Sequence, residues 1–226
     1  MQIHFNQETE NLKTNLIKMA SLVDQQVESA INALSQGDIE LCREIKAKDL
    51  EIDAYDNLLK TQCENILALF QPVASDLRFV MSALMINNQL ERCGDIAVNI
   101  SQRVKKTVEF KELIAQSQIL EMGKQAQEMV KKTINSFIND DIKLANEVIE
   151  SDEIVDRFNK EIFRFLVEQM KNNQALIEPC SHLMILTRHV ERLADHATNI
   201  AEDILFHLEA RIISHRKKLA RPADEK

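Results

Sequence analysis

The sequence is poor in residues that break helices, with three glycines and three prolines among 226 residues. All-β sandwiches and barrels need turn residues about every 8–12 positions, so this scarcity argues against those folds. Dinucleotide-binding and P-loop folds build their phosphate turns on glycine and are disfavoured as well. The chain is therefore free to run in long helices.

Aromatic residues and paired cysteines are also scarce. Aromatics make up 4% of a chain that is 45% hydrophobic and has no tryptophan, so aliphatic side chains must fill the interior. No Cys-x-x-C pair occurs, and a chain of this length needs no disulfides to hold its core. We expect free, buried thiols in a reducing compartment at the four cysteines, which are Cys42, Cys63, Cys93 and Cys180.

The sequence also lacks a net positive charge and long apolar runs. The formal net charge is −8, which disfavours nucleic acid and anionic lipid as partners and favours cations and basic protein surfaces. The N-terminus has no basic and apolar signal segment, and no run of 18 apolar residues occurs. We therefore expect a cytoplasmic protein that does not span a membrane.

Apolar residues spaced alternately three and four apart predict three long helices in the first half, over about 5–34, 39–70 and 75–108. Gly37 and Asp38 are predicted as the C-terminal and N-terminal caps at the first turn. Pro72 is predicted to break the second helix.

The second half repeats this pattern. Val27, Ile31 and Leu34 match Val130, Ile134 and Phe137 at an offset of 103, and the third helix repeats at an offset of 100. The change of offset predicts a shorter connection before the last helix. We predict an all-α fold of two tandem antiparallel three-helix bundles, 1–108 and 109–216, followed by a flexible tail at 217–226.

Four pairs of acids stand four residues apart, one on the second and one on the third helix of each half. Two carboxylates at this spacing share a helix face and repel one another. A cation bound between them would make the interaction favourable. The pairs are Asp49 and Asp53, Glu91 and Asp95, Asp152 and Asp156, and Glu191 and Asp195. The amides of Asn88, Asn99 and Asn199 lie on the same stripes and could complete a ligand shell.

Hard oxygen ligands suit magnesium, manganese, calcium or iron better than structural zinc. His189 and His196 lie near the second-half pair, but no histidines match them in the first half. The alternative is a solvated acidic face with salt bridges to Arg92 and Arg192, and spacing alone leaves both interpretations open. No Glu-x-x-His motif, glycine-rich phosphate loop or nucleophile elbow occurs, so we predict no catalytic site.

Three stretches of the sequence resemble one family. Gln71-Pro-Val-Ala-Ser-Asp-Leu-Arg78 is followed by Leu90-Glu-Arg-Cys-Gly-Asp-Ile-Ala-Val-Asn-Ile100, and Val190-Glu-Arg-Leu-Ala-Asp-His-Ala-Thr-Asn-Ile-Ala-Glu202 matches the second copy. These motifs are similar to those of the PhoU family, accessory regulators of bacterial phosphate-specific transport. The resemblance covers residues 5–215.

The resemblance implies two similar three-helix bundles and a cytoplasmic regulator that is often dimeric. It implies contacts with the ATPase subunit of the Pst transporter and with a PhoR-type sensor kinase. It also implies metal clusters on the acidic pairs, with the eight acids named above as ligands. The leading hypothesis is a non-enzymatic, metal-binding regulator that restrains phosphate uptake and phosphate-starvation signalling. The alternatives are a metal-free helical interaction module and a carboxylate-bridged metal enzyme.

Overall fold

A computed structural model describes residues 2–210 as a bundle of antiparallel helices. Within this part of the chain there are seven α-helices, a short 3₁₀ turn over Gln174–Leu176, and no strand. The helices are α1 (Gln2–Gln36), α2 (Ile39–Phe70), α3 (Ala74–Thr107), α4 (Lys111–Gln116), α5 (Ile119–Asn139), α6 (Ile142–Asn172) and α7 (Ile177–Glu209). The all-α prediction is confirmed.

The helices pack as two bundles of three that share a wide junction. α1, α2 and α3 contact one another pairwise, and so do α5, α6 and α7. The two halves join where α3 runs along α7 and where α1 packs against α5. The tandem three-helix architecture is therefore confirmed, and α2 and α6 lie on the outer sides of the joined core.

The predicted apolar stripe of α1 is buried along its full length. Its seven members are Leu12, Leu16, Met19, Val23, Val27, Ala30 and Leu34. Burying a leucine- or valine-sized side chain contributes roughly 1.5–3 kcal/mol, so aliphatic packing of this kind can hold the fold without tryptophan. All four cysteines are free and buried, as predicted.

Matched caps begin the second helix of each half. Asp38 accepts a hydrogen bond from the Leu41 amide at 3.0 Å, and Asp141 accepts one from the Leu144 amide at 3.0 Å. Gly37 has φ of +70°, the left-handed conformation that ends α1. Each cap satisfies an amide that the helix itself leaves unpaired, which contributes about 1 kcal/mol.

The connections differ from the prediction in two places. The expected shorter connection before the last helix is wrong, because residues 173–176 separate α6 from α7 whereas residues 71–73 separate α2 from α3. At the offset of 100, the first three residues of α3 match the 3₁₀ turn Gln174–Leu176. The α-helix α7 therefore begins three residues later in its repeat than α3 does, so the connection is not shortened despite the change of offset. The six-residue α4 was not predicted, since a segment this short shows no clear period.

Two glycines lie inside helices at close helix contacts. A Cβ on Gly94 would lie 3.1 Å from Gln26 Oε1 and 3.3 Å from Ile52 Cδ1. A Cβ on Gly123 would lie 3.1 Å from Ile31 Cδ1, which places this glycine where α5 packs against α1. Close approach therefore accounts for residues that cost a helix about 1 kcal/mol relative to alanine.

Every helix within residues 2–210 is too short or too polar to span a bilayer. The division of the chain after residue 108 stays a prediction. The predicted tail at 217–226 lies outside the described residues.

Candidate functional site

The acids of the first half lie close together across α2 and α3. Gln26 Nε2 donates hydrogen bonds to Asp49 Oδ1 at 3.0 Å and to the Ile45 carbonyl at 3.1 Å. Burial raises the pKa of Asp49, and the nearby carboxylates of Asp53 and Asp95 raise it further, against the hydrogen bond from Gln26. Three of the predicted ligands therefore form one electrostatic group.

Glu91 connects this group to Asp56, a residue that the repeat pattern did not identify. Burial raises the pKa of Glu91, as do the carboxylates of Asp95 and Asp56, whereas the cations of Arg92 and Lys60 oppose them. The sequence comparison missed Asp56 because the matching position in the second half is Asn159. A carboxylate present in one half only breaks the pattern of matched pairs.

Asp56 is held firmly at the α2–α3 contact. Its side chain is only 10% exposed. Asn87 Nδ2 donates to Asp56 Oδ1 at 2.8 Å, and Lys60 Nζ donates to Asp56 Oδ2 at 2.7 Å. These two donors satisfy a buried carboxylate that would otherwise be costly.

We define the first-half acidic cluster as Asp49, Asp53, Asp56, Glu91 and Asp95. Arg92 Nε lies 3.3 Å from Glu91 Oε2, and Arg92 Nη1 lies 3.2 Å from Asp95 Oδ2. Together with Lys60, this arginine compensates part of the charge of the cluster. The predicted salt bridges to Arg92 are therefore present in the first half, and neighbouring carboxylates still raise the pKa of Asp49 and of Glu91.

The second half carries a different charge pattern on the matching helices. Arg188 forms an ion pair with Glu191, and it occupies the position that Asn88 has in the first half. Asp152, Asp156 and Asp195 also interact with other groups of the chain. The position of Gln26 is taken by Met129, which has no hydrogen-bond donor. The second site thus lacks a carboxylate that the first has, and its Glu191 pairs with an arginine on the same helix, as Glu91 does with Arg92.

The remaining predicted residues divide between solvent and the α3–α7 contact. Asn88 is exposed and Asn99 is half-buried on α3. His196 Nδ1 donates to Gln89 Oε1 at 2.6 Å, and Asn199 Nδ2 donates to the same oxygen at 3.4 Å. Asn199 and His196 therefore connect the two halves.

Both histidines near this contact favour the neutral form. Burial lowers the pKa of His196, and the Arg192 cation lowers it further. Burial and the cations of Arg103 and Arg192 lower the pKa of His189, whose Nδ1 is buried without a hydrogen-bond partner.

The carboxylate oxygens of the acidic pairs have the chemistry and the negative charge that suit a hard cation. Their positions do not form a complete set of metal ligands. Among residues 2–210, no three histidine, cysteine, aspartate or glutamate side chains stand close enough to hold a metal ion. Neighbouring carboxylates raise the pKa of Asp49 and of Glu91, and a cation placed beside these two groups would stabilise their ionised forms. A bound metal would therefore take the carboxylates in pairs and complete its shell with water.

The buried thiols offer no reactive group here. Burial raises the pKa of Cys93 to about 12 and that of Cys63 to about 11. Thiols with such pKa values stay protonated at neutral pH and serve as packing residues.

Comparison with known proteins explains the duplication. The family profile for the PhoU domain matches residues 16–104 and again residues 119–204. The chain belongs to the PhoU family. Each of the two matches contains two of the four acidic pairs, so the repeated motifs are a property of the repeated domain.

Curated relatives align with the PhoU chain over nearly its full length. The "Phosphate-specific transport system accessory protein PhoU homolog" of Caulobacter vibrioides strain NA1000 is 34% identical over 217 residues, covering 95% of this chain and 94% of the relative. The protein of the same name from Aquifex aeolicus is 36% identical over 209 residues, covering 92% and 95%.

Solved structures agree with the fold. PhoU from Pseudomonas aeruginosa superposes with a TM-score of 0.85 at 32% identity, covering 92% of this chain and all of that one. The phosphate transport system regulatory protein PhoU from Streptococcus pneumoniae has the same TM-score at 27% identity, covering 93% and 99%.

Proposed function

We propose that this PhoU chain restrains phosphate uptake by a Pst-type transporter and represses phosphate-starvation signalling. It would act in the cytoplasm as a homodimer, through contacts with the ATPase subunit of the transporter and with a PhoR-type sensor kinase. The supporting observation is family membership in both halves, together with curated relatives that carry the name of a phosphate transport accessory protein over almost the same length.

Direct binding tests the partner part of this proposal. The full chain is titrated calorimetrically with the purified ATPase subunit and, separately, with the cytoplasmic portion of the kinase. We expect saturable binding to both, and light scattering of the free chain should give the mass of a dimer. Absence of binding to either protein would overturn the proposed partners.

The cation part of the proposal rests on the acids of α2 and α3. We propose that hard cations such as magnesium, manganese, calcium or iron bind the paired acids of both halves, and bind the first half more tightly. Asp49 and Glu91 support this because neighbouring carboxylates raise the pKa of each. Asp56 supports the difference between the halves, since the second half has the uncharged Asn159 in its place.

Matched double variants test this difference. Asp49→Asn with Asp95→Asn removes two charges from the first half, and Asp152→Asn with Asp195→Asn removes the matching charges from the second. Each protein is measured for metal content by elemental analysis and for manganese binding by calorimetry. We expect the first double variant to lose most of the bound metal and the second to retain most of it.

Two results would contradict the cation proposal. Metal content near zero in the gently purified wild-type chain would favour the metal-free interaction module. Equal losses in the two double variants would show that the halves bind cations alike.

A further inference from the structure

A cavity of about 460 Å³ opens between the start of α3 and the end of α7. Most of its wall is apolar, and its charged residues come from both helices. Its lining residues are Leu77, Arg78, Met81, Met85, Glu202, Asp203 and Phe206. None of these lining residues belongs to the first-half acidic cluster, and nothing in the proposed cation site uses the cavity.

The apolar side of the cavity is a stripe along α3. Leu77, Met81 and Met85 stand four residues apart on one helix face, and each is about 40% exposed. The stripe is about 12 Å long at 1.5 Å per residue, which matches two turns of a partner helix. Exposed methionines adapt their shape to an incoming apolar surface.

The polar side of the cavity carries two carboxyl groups. Asp203 is only 7% exposed and faces the cavity next to Glu202 on α7. Arg78 lines the same cavity, and its Nε is buried without a hydrogen-bond partner. With both carboxyl groups ionised, the three charges leave the cavity net negative, and the whole chain has a net charge of −8.

The duplicated fold contains a matching position at the other end of the α3–α7 contact. At the offset of 100, Asp203 matches Arg103 and Ser82 matches His182. Arg103 Nη1 donates to His182 Nδ1 at 3.4 Å, a contact between the end of α3 and the start of α7. Ser82 Oγ, next to the cavity-lining Met81 along the chain, is instead buried without a hydrogen-bond partner. The two ends have therefore diverged: Arg103 contacts His182 at one, whereas Asp203 and Ser82 stand at the matching positions of the other.

We propose that this cavity docks a basic amphipathic helix of a partner protein. An apolar side chain of the helix packs among Met81, Met85 and Phe206, and a neighbouring lysine or arginine pairs with Asp203 and Glu202. The stripe provides the length of a helix contact, and the carboxyl groups provide charge complementarity for a basic segment. This inference rests on the proposed function, in which the chain works by contacting other proteins.

Methionine methyl groups report on this surface directly. The full chain is labelled with ¹³C at its methionine methyls, and the Met81 and Met85 signals are assigned from their leucine variants. The probe is a synthetic helical peptide with leucines on one face and lysines and arginines beside them. We expect it to shift the Met81 and Met85 signals and to leave the fully buried Met19 and Met129 signals in place. A peptide with glutamate at every basic position should shift none of them.

The internal repeat provides a matched control variant. Met85→Lys places a cation in the cavity and should weaken binding of the basic peptide about tenfold. Ile185→Lys makes the same change at the matching position of α7, where the side chain is also 40% exposed, and should leave the affinity unchanged. Asp203→Asn should weaken binding severalfold, because it removes one of the two pairing carboxyl groups.

Three outcomes would overturn the proposal. These are no shift of the Met81 and Met85 signals, equal binding of the acidic peptide, and equal loss of affinity in Met85→Lys and Ile185→Lys. Signals that move with protein concentration alone would assign the surface to a second copy of the chain and would overturn it too. Failure of peptide binding while the chain still controls phosphate uptake would remove the docking site and leave the proposed function standing.

Discussion

Replacing Asp203 with asparagine should change how the stability of the chain depends on pH. Burial raises the pKa of Asp203 from 3.8 to about 7, and the Glu202 carboxylate adds to the shift. Between these two values the folded chain keeps a proton on Asp203, whereas the unfolded chain has lost it. The folding free energy contributed by this group is therefore fully present below pH 3.8 and is lost as the pH rises to about 7.

The size of this effect follows from the shift. Each pH unit well between the two pKa values costs about 1.4 kcal/mol, and the cost per unit falls as the folded group begins to ionise near pH 7. The wild-type chain therefore loses about 2 kcal/mol from this group between pH 5 and pH 7. Asparagine at the same position cannot ionise and loses nothing. Over this interval the free energy of unfolding of Asp203→Asn should therefore rise by about 2 kcal/mol relative to that of the wild type.

Urea unfolding at pH 5, 6, 7 and 8 measures the difference. Glu64→Gln, which removes an exposed carboxylate from α2, controls for the change in net charge. We expect the Asp203→Asn and wild-type curves to diverge up to pH 7 and then to run in parallel, and the Glu64→Gln curve to follow the wild type throughout. A constant difference between Asp203→Asn and the wild type from pH 5 to pH 8 would refute the reasoning, because it would mean that Asp203 titrates alike in both states.

Three further substitutions have defined outcomes. Gln26→Met removes the hydrogen bonds to Asp49 and to the α2 backbone and should lower the free energy of unfolding by about 1–2 kcal/mol, measured in urea; an unchanged value would mean that these bonds contribute nothing. Arg188→Asn copies the first-half residue into the second half and should raise the metal bound per chain in elemental analysis; an unchanged content would exclude competition by the arginine. Gly123→Val should cost about 1–3 kcal/mol by crowding Ile31, and wild-type thermal stability would contradict the close contact.

Much of the helical framework could be predicted from local patterns. The bounds of α2 matched the prediction at both ends, because Asp38 and Pro72 mark its limits and its apolar stripe has a clear helical period. The caps at Gly37 and Asp38 were also correct. These features depend on the residues of one segment, and a single sequence contains all of that information.

The candidate site was less predictable because its environment comes from other helices. The acidic pairs were visible from the repeat, but Asp56 and Gln26 were overlooked since neither has a matching residue in the second half. The asparagine-to-arginine difference at positions 88 and 188 was readable in the sequence. The sequence did not show that Arg188 forms an ion pair with Glu191, which only the packed helix reveals. Pairing and burial depend on how the helices pack, which periodicity does not specify.

Phosphate uptake tests the central claim most directly. The initial rate of labelled phosphate uptake is measured in phosphate-rich medium for cells that carry the chain, cells from which it is deleted, and deleted cells in which it is restored. We predict a severalfold higher rate in the deleted cells and a return to the original rate on restoration. Equal rates in all three would contradict the account of this chain as a regulator of phosphate transport.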